Sequence, residues 1–173
     1  MSATALASTL RPAFSVLFCS TPEEVARAFA VRRKVFVEEM GYSEKTKKDR
    51  DCDHLVLFRT EPSDGSTEDV GTVRWHAPPS KLGRMAITKP YRGTGAGRVL
   101  CLALEEHLRQ RKGLSRERFA GQGEAELWAN SVLSAKGFYQ RLGYEVEGEE
   151  FLEAGEPHFK VTKRIHLVPE RST

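Results

Sequence analysis

Apolar and polar residues alternate along this chain in two rhythms. Residues 13–19 form a short apolar run that stops at Ser20-Thr21-Pro22-Glu23-Glu24. A capping hydroxyl, a proline for the first turn and two early acids there predict a strand giving way to a helix. Val25, Phe29, Val31, Val35 and Phe36 then recur at roughly helical spacing among Arg32, Arg33, Lys34, Glu38 and Glu39, and Met40-Gly41 ends the helix. Residues 42–50 are polar and basic and predict an exposed loop. Compact apolar runs at 54–59 and 69–75, separated by turn chemistry at 61–65, predict two antiparallel strands. Another short strand is expected over 82–88, followed by a break at Lys89-Pro90-Tyr91 and a helix over 96–111 with Val99, Leu100, Leu104 and Leu108 inward. Residues 113–123 read as a polar, mobile connection. A strand over 124–129, a helix over 131–142 and a closing pair of strands over 144–151 and 159–167 complete an α/β pattern.

The length of 173 residues predicts one domain spanning 1–173, with 1–11 as a flexible N-terminus. A composition 39% hydrophobic and 29% charged carries no bias toward disorder, and no run is long enough to span a membrane. The formal net charge of +3 is too small to make nucleic acid the main partner, and Lys45-Thr-Lys-Lys-Asp-Arg50 reads as a solvated loop. Cys19, Cys52 and Cys101 are odd in number and widely spaced, so neither a disulfide framework nor a zinc site is expected, and a reducing, cytoplasmic setting is the simpler reading. The five histidines lack paired ligand spacing, so no metal is expected.

The chemistry concentrates at Arg92-Gly93-Thr94-Gly95-Ala96-Gly97-Arg98, between a strand and a helix. Backbone N–H groups in such a turn converge near the positive end of the helix dipole, which suits a pyrophosphate, and Arg92 and Arg98 add charge-assisted donors. A P-loop is excluded because Arg98-Val99 follows Gly97 where lysine and a hydroxyl are needed. A dinucleotide fingerprint is excluded because its last glycine would fall one place later.

Arg92-x-x-Gly95-x-Gly97 resembles the acyl-CoA pyrophosphate loop of the GNAT superfamily, Gln/Arg-x-x-Gly-x-Gly/Ala. The likeness continues upstream in Gly83-Arg84-Met85-Ala86-Ile87 and downstream in Asn130 and Phe138-Tyr139-Gln-Arg-Leu-Gly143-Tyr144. At the ends, Arg33-x-Val-Phe36-Val-Glu38-Glu39 and Glu150-Phe151-Leu-Glu153-Ala-Gly155-Glu-Pro157-His158 resemble a small branch of that superfamily. The resemblance implies a mixed, mostly antiparallel central sheet flanked by helices, with splayed central strands, and acetyl-CoA as co-substrate. It implies that backbone groups at Met85, Ala86 and Ile87 pair with the pantetheine arm and thioester carbonyl, that the turn from Arg92 to Arg98 holds the pyrophosphate, and that Tyr139 protonates the departing thiolate. Asn130 takes the place of the family asparagine near the CoA arm. It stands nine residues from Tyr139, about two more than the family pattern, so Ser131 or Ser134 is an alternative; Lys136 or Arg141 would meet the adenosine phosphates.

An amine must lose a proton before it attacks, so a carboxylate, a neutral histidine or a water wire is needed nearby. Glu38 and Glu39 rank first as the base, with Asp51, Asp53, His54, Glu153 and His158 as further candidates, and Arg33, Phe36, Asp53, Arg74, Glu153 and His158 are expected around the acceptor. The expected partner is a small-molecule amine, with an amino sugar such as glucosamine favoured. Alternatives are a peptide acetyltransferase, for which the long final hairpin leaves little groove, and a non-catalytic acyl-CoA sensor. The closing strands also offer a route to a homodimer.

Overall fold

The computed structural model describes residues 13–43 and 49–170; the expectation for 1–11, and the part of the predicted loop at 44–48, lie outside the described residues. Strands β1 (Phe14–Phe18), β2 (Cys52–Thr60), β3 (Thr67–His76), β4 (Lys81–Ile87), β5 (Glu124–Val132), β6 (Glu145–Glu153) and β7 (Glu156–His166) form one sheet in the order β1-β2-β3-β4-β5-β7-β6. Every neighbouring pair is antiparallel except β4 and β5.

Helix α1 (Pro22–Arg32) starts as the sequence predicts. Glu24 donates its N–H to Thr21 Oγ1 at 3.2 Å, while the Glu24 carboxylate accepts the Ser20 and Thr21 N–H groups at 2.6 and 3.2 Å, a complete capping box. Its continuation departs from expectation. Arg33–Glu39 widens into a π-helical segment, with Met40 N–H reaching back five residues to the Val35 carbonyl at 3.1 Å. The extra residue in that turn shifts the side chains after it around the axis. Val35 and Phe36 thereby close with Val31 over Ala86 of β4 in a small apolar cluster on one face of the sheet.

The larger core fills the other face. Leu100, Cys101, Leu104 and Leu108 of α2 (Ala96–Arg109) pack on Leu55, Leu57, Val73, Trp75, Leu127 and Ile165, and α4 (Leu133–Arg141) adds Tyr139. Val99, expected inward, is exposed; Cys101, one turn before Glu105, takes the buried stripe instead. Residues 113–123, expected to be mobile, carry the short helix α3 (Ser115–Arg118) and bury Phe119, whose ring centroid lies 5.4 Å from that of Trp75. Phe119→Ala leaves a hole in close-packed core and is expected to cost about 3–5 kcal/mol in denaturant unfolding. No helix of the described residues is long and apolar enough to cross a membrane.

Candidate functional site

The sheet opens where β4 meets β5. Pairing between them is confined to Lys81 with Trp128 and Leu82 with Ala129, so from Gly83 to Ile87 the edge of β4 that faces β5 has no ladder partner. The strand is also bulged. Its register with β3 shifts between Thr72 and Arg74, and Arg84 takes a φ of +52°. Strict alternation would send Gly83 and Arg84 to opposite faces. The bulge instead keeps Gly83, Arg84 and Ala86 toward α1, while Met85 and Ile87 pack into the larger core.

Just beyond β4, the turn from Arg92 to Gly97 enters α2. Gly93 and Gly95 have φ of +75° and +92°, and a Cβ at either would point into open space. Gly95 caps α2 with no side-chain hydrogen bond, and among the described residues the N–H groups of Ala96, Gly97 and Arg98 meet no acceptor. Three donors without acceptors at the start of a 14-residue helix are chemically suited to an anion such as a pyrophosphate. Thr94 stiffens the turn by donating its hydroxyl to the Tyr91 carbonyl at 2.7 Å. At Gly97 the approach of α4 is close: a Cβ there would lie 3.3 Å from Phe138 Cε2. The next residue, Tyr139, is buried edge-on between Phe138 and Tyr144, with centroids 5.2 and 5.4 Å away. Burial pushes its phenol well above the ordinary range, so it holds its proton at neutral pH, and among the described residues the hydroxyl has no hydrogen-bond partner.

On the α1 side the structure assembles a polar group that the sequence left scattered. Asp49 Oδ1 accepts from Arg32 at 2.7 Å and from Arg74 at 3.0 Å. Arg32 also donates to His54 Nδ1 at 2.8 Å, and because an arginine only donates, His54 is neutral with its proton on Nε2, given to the Asp49 carbonyl at 3.1 Å. Burial costs the Asp49 carboxylate, yet the two guanidiniums outweigh it and hold its pKa below the ordinary value. Burial is also the main force lowering the His54 pKa, opposed by its bond to the Asp49 backbone. The unfolded chain takes up that proton near the ordinary 6.5 and the folded chain only at lower pH. The contribution of His54 to stability is therefore full above pH 6.5 and drains as pH falls through the lowered folded value. Thermal unfolding should show a midpoint that falls below pH 6.5 more steeply in the native protein than in His54→Gln.

The remaining predicted residues divide between the two sides of the opening. Asn130 at the end of β5 donates to Glu153 Oε2 at 3.0 Å, and His158 Nε2 lies 3.8 Å from the same oxygen, so the final hairpin folds back to the mouth of the splay. Phe36 stands under the Arg84 guanidinium at 5.7 Å. Glu39 is clasped by Arg92 in a two-pronged pair at 2.6 and 2.8 Å, with Arg92 Nε also on the Ile87 carbonyl at 2.9 Å; the guanidinium holds the Glu39 carboxyl below its usual range. Glu38 is exposed, 3.7 Å from Arg33. Ser134 is exposed, Ser131 is buried and bonded to the Val132 carbonyl, and the Lys136 ammonium lies over the Phe159 ring at 4.2 Å.

Asp53 is not brought to this group. It is paired in register with Trp75, so it shares the opposite face of the sheet, where it meets His107 at 3.2 Å and the Leu114 N–H at 3.1 Å. Three residues of this group were not among the expected acceptor-site residues. Arg32 stands three residues after Phe29 and four before Phe36, on the apolar stripe; Gly83 beside Arg84 signalled a bulge; Asp49 carried no local signal.

A mixed sheet opened at its one parallel junction, beside an anion cradle and a buried phenol, defines an acyl-CoA-dependent N-acyltransferase. The chain belongs to the GNAT acetyltransferase family: the family's sequence model, described as acetyltransferase (GNAT) domain, matches residues 33–165. It is 34% identical over 152 residues to the uncharacterized protein YyaT of Bacillus subtilis strain 168, covering 84% of this chain and 93% of that protein. It is 31% identical over 147 residues to the uncharacterized N-acetyltransferase YjcF of the same organism, covering 82% and 93%. The crystal structure of a candidate N-acetyltransferase from Lactobacillus plantarum superposes with a TM-score of 0.67 at 31% identity, covering 88% of this chain and 98% of that one.

Proposed function

We propose that this protein moves the acetyl group of acetyl-CoA to the primary amine of a small molecule, by direct attack in a ternary complex. The carrying observation is the opening between β4 and β5 with the uncommitted N–H groups of 96–98 at its edge. Acetyl-CoA supplies an activated acyl group as a thioester. The cradle from Gly93 to Arg98 anchors its pyrophosphate, the free edge of β4 at Met85, Ala86 and Ile87 orients its arm, and an N–H of that edge stabilises the charge that develops on the carbonyl oxygen. Asn130, Ser134 and Lys136 line the far side of this groove.

The acceptor nitrogen gives its lone pair to the thioester carbon, the carbon–sulfur bond breaks, and Tyr139 donates a proton to the sulfur while the amine loses one. Glu39 is occupied by Arg92 and Glu38 stands out in solvent. Glu153, held by Asn130 and close to His158 at the mouth of the opening, is the better-placed proton acceptor. Arg33, Phe36 and Arg74 shape the acceptor pocket, and amino sugars such as glucosamine are the first compounds to try. Thiol release from acetyl-CoA, followed over a panel of amino sugars, polyamines, amino acids and a histone-like peptide, tests the reading. Turnover on a small amine, reduced at least tenfold in Glu153→Gln, supports it. Turnover on the peptide alone makes the protein a peptide acetyltransferase, and acetyl-CoA binding without any turnover makes it a sensor.

A further inference from the structure

Arg84 occupies a position that needs explaining. A φ of +52° is costly for a long side chain, and such strain persists only where surrounding structure holds it. Its effect here is to bring a second arginine off β4 and β3 to the α1 side of the opening, half-buried above Phe36. Among the described residues Arg84 makes no hydrogen bond and no ion pair. Arg74 and Asp49 both act on it electrostatically, as does Glu153 from across the mouth. Asp49, however, is already shared by Arg32 and Arg74 through one oxygen. Three guanidiniums therefore gather around Asp49, whose Oδ2 is buried and turned to none of them, with Glu153 acting on Arg84 only from a distance, so positive charge is in excess by one in a partly buried place. Arg74 has spare capacity as well. Its Nη1 is given to Asp49, whereas its Nη2 lies beside Gly83, where the missing side chain leaves room next to it and a Cβ would stand 3.8 Å away.

A half-buried guanidinium without an acceptor, beside a second with one Nη to spare, is suited to planar or tetrahedral oxyanions, which guanidiniums bind by paired charge-assisted hydrogen bonds. We infer that the acceptor amine carries an anionic oxygen group, a carboxylate or a phosphate, which is bound by Arg84 together with Nη2 of Arg74. This rests on the acetyl-transfer reading above and narrows its substrate class. The anion would be fixed on the β3–β4 side of the opening, leaving the amine to point along the splay toward Glu153. Arg84 would then select substrates and align them, with no part in the proton transfers.

The test compares matched pairs of acceptors that differ only in the anion. One arm uses phenylalanine and phenethylamine, the other glucosamine 6-phosphate and glucosamine. For each, kcat and KM are measured by CoA release, with acetyl-CoA affinity read separately by calorimetry. In at least one arm the anionic member should exceed its neutral twin in kcat/KM by about tenfold or more, the usual worth of a charged hydrogen bond. The arm that responds names the carboxylate or the phosphate. In Arg84→Asn, asparagine being among the residues that best tolerate positive φ, the ratio should fall to within about twofold, through a rise in KM for the anionic member. Arg84→Lys should recover part of it, and Arg84→Gly provides a second strain-free deletion if the asparagine variant unfolds early in a thermal melt. Ratios near one in both arms, a ratio that survives in Arg84→Asn and Arg84→Gly, or no turnover in either arm while acetyl-CoA binds normally would each overturn the anion site and leave acetyl-CoA recognition standing. Failure of acetyl-CoA to bind the native protein would overturn the transferase reading, and this inference with it.

Discussion

Tyr139→Phe should lower kcat about a hundredfold while acetyl-CoA affinity stays within about twofold. The substitution removes one oxygen from a ring held edge-on by Phe138 and Tyr144, and the oxygen bonds to nothing else among the described residues. The fold therefore has no reason to change, and unfolding midpoints should match. On the proposed reading, what is lost is the proton donor to the thiolate, a phenol that burial keeps protonated at neutral pH. The native enzyme should accordingly show no alkaline loss of activity from this residue near neutral pH. Steady-state CoA release and calorimetry on both proteins check the prediction. A phenylalanine variant of native kcat would make Tyr139 a packing residue and leave solvent to protonate the thiolate.

Gly95→Val should weaken acetyl-CoA binding at least a hundredfold. At φ +92° a β-branched side chain is a severe outlier, so the turn must move to relieve it, and the start of α2 moves with the turn. The free N–H groups of Ala96, Gly97 and Arg98 would then no longer converge on one anion. A Cβ at Gly95 meets nothing in the protein, so the loss falls on the ligand and little on the core. Gly95→Ala is the graded control, with a smaller loss in the same direction. Calorimetric titration with acetyl-CoA, alongside thermal unfolding, separates the two effects.

Much of the fold was legible because its local signals agree with its tertiary contacts. Thr21-Pro22-Glu23-Glu24 caps α1 as its residue types dictate, and the turn at Gly93 to Gly97 lies between strand and helix as its glycines require. The misses share a cause, which is contact between residues far apart in the chain. Residues 113–123 look polar, but Phe119 is pinned by Trp75, 44 positions earlier by their numbers. Asp49 sits in a basic stretch, but two arginines from α1 and β3 bury it. The position of Asp53 depended on parity: in a strand a shift of one residue reverses the face, and His54, not Asp53, looks toward α1. The bulge at Arg84 broke the same parity in the other direction, which gave the site a cation that alternation would have sent into the core.

The strand order has one more consequence, at the margin of the sheet. β6 is an outermost strand, with one long side of its backbone unpaired, a shape on which other chains readily add as further strands. Glu145, Glu147, Glu149, Glu150 and Glu153 occupy five of its nine positions, and its register slips between Glu147 and Phe151. A second copy laid along it would set acid against acid over an irregular ladder. The hairpin that reaches the mouth of the site is thus also guarded against polymerisation by its own charge, and raised salt is the condition under which that guard would drop.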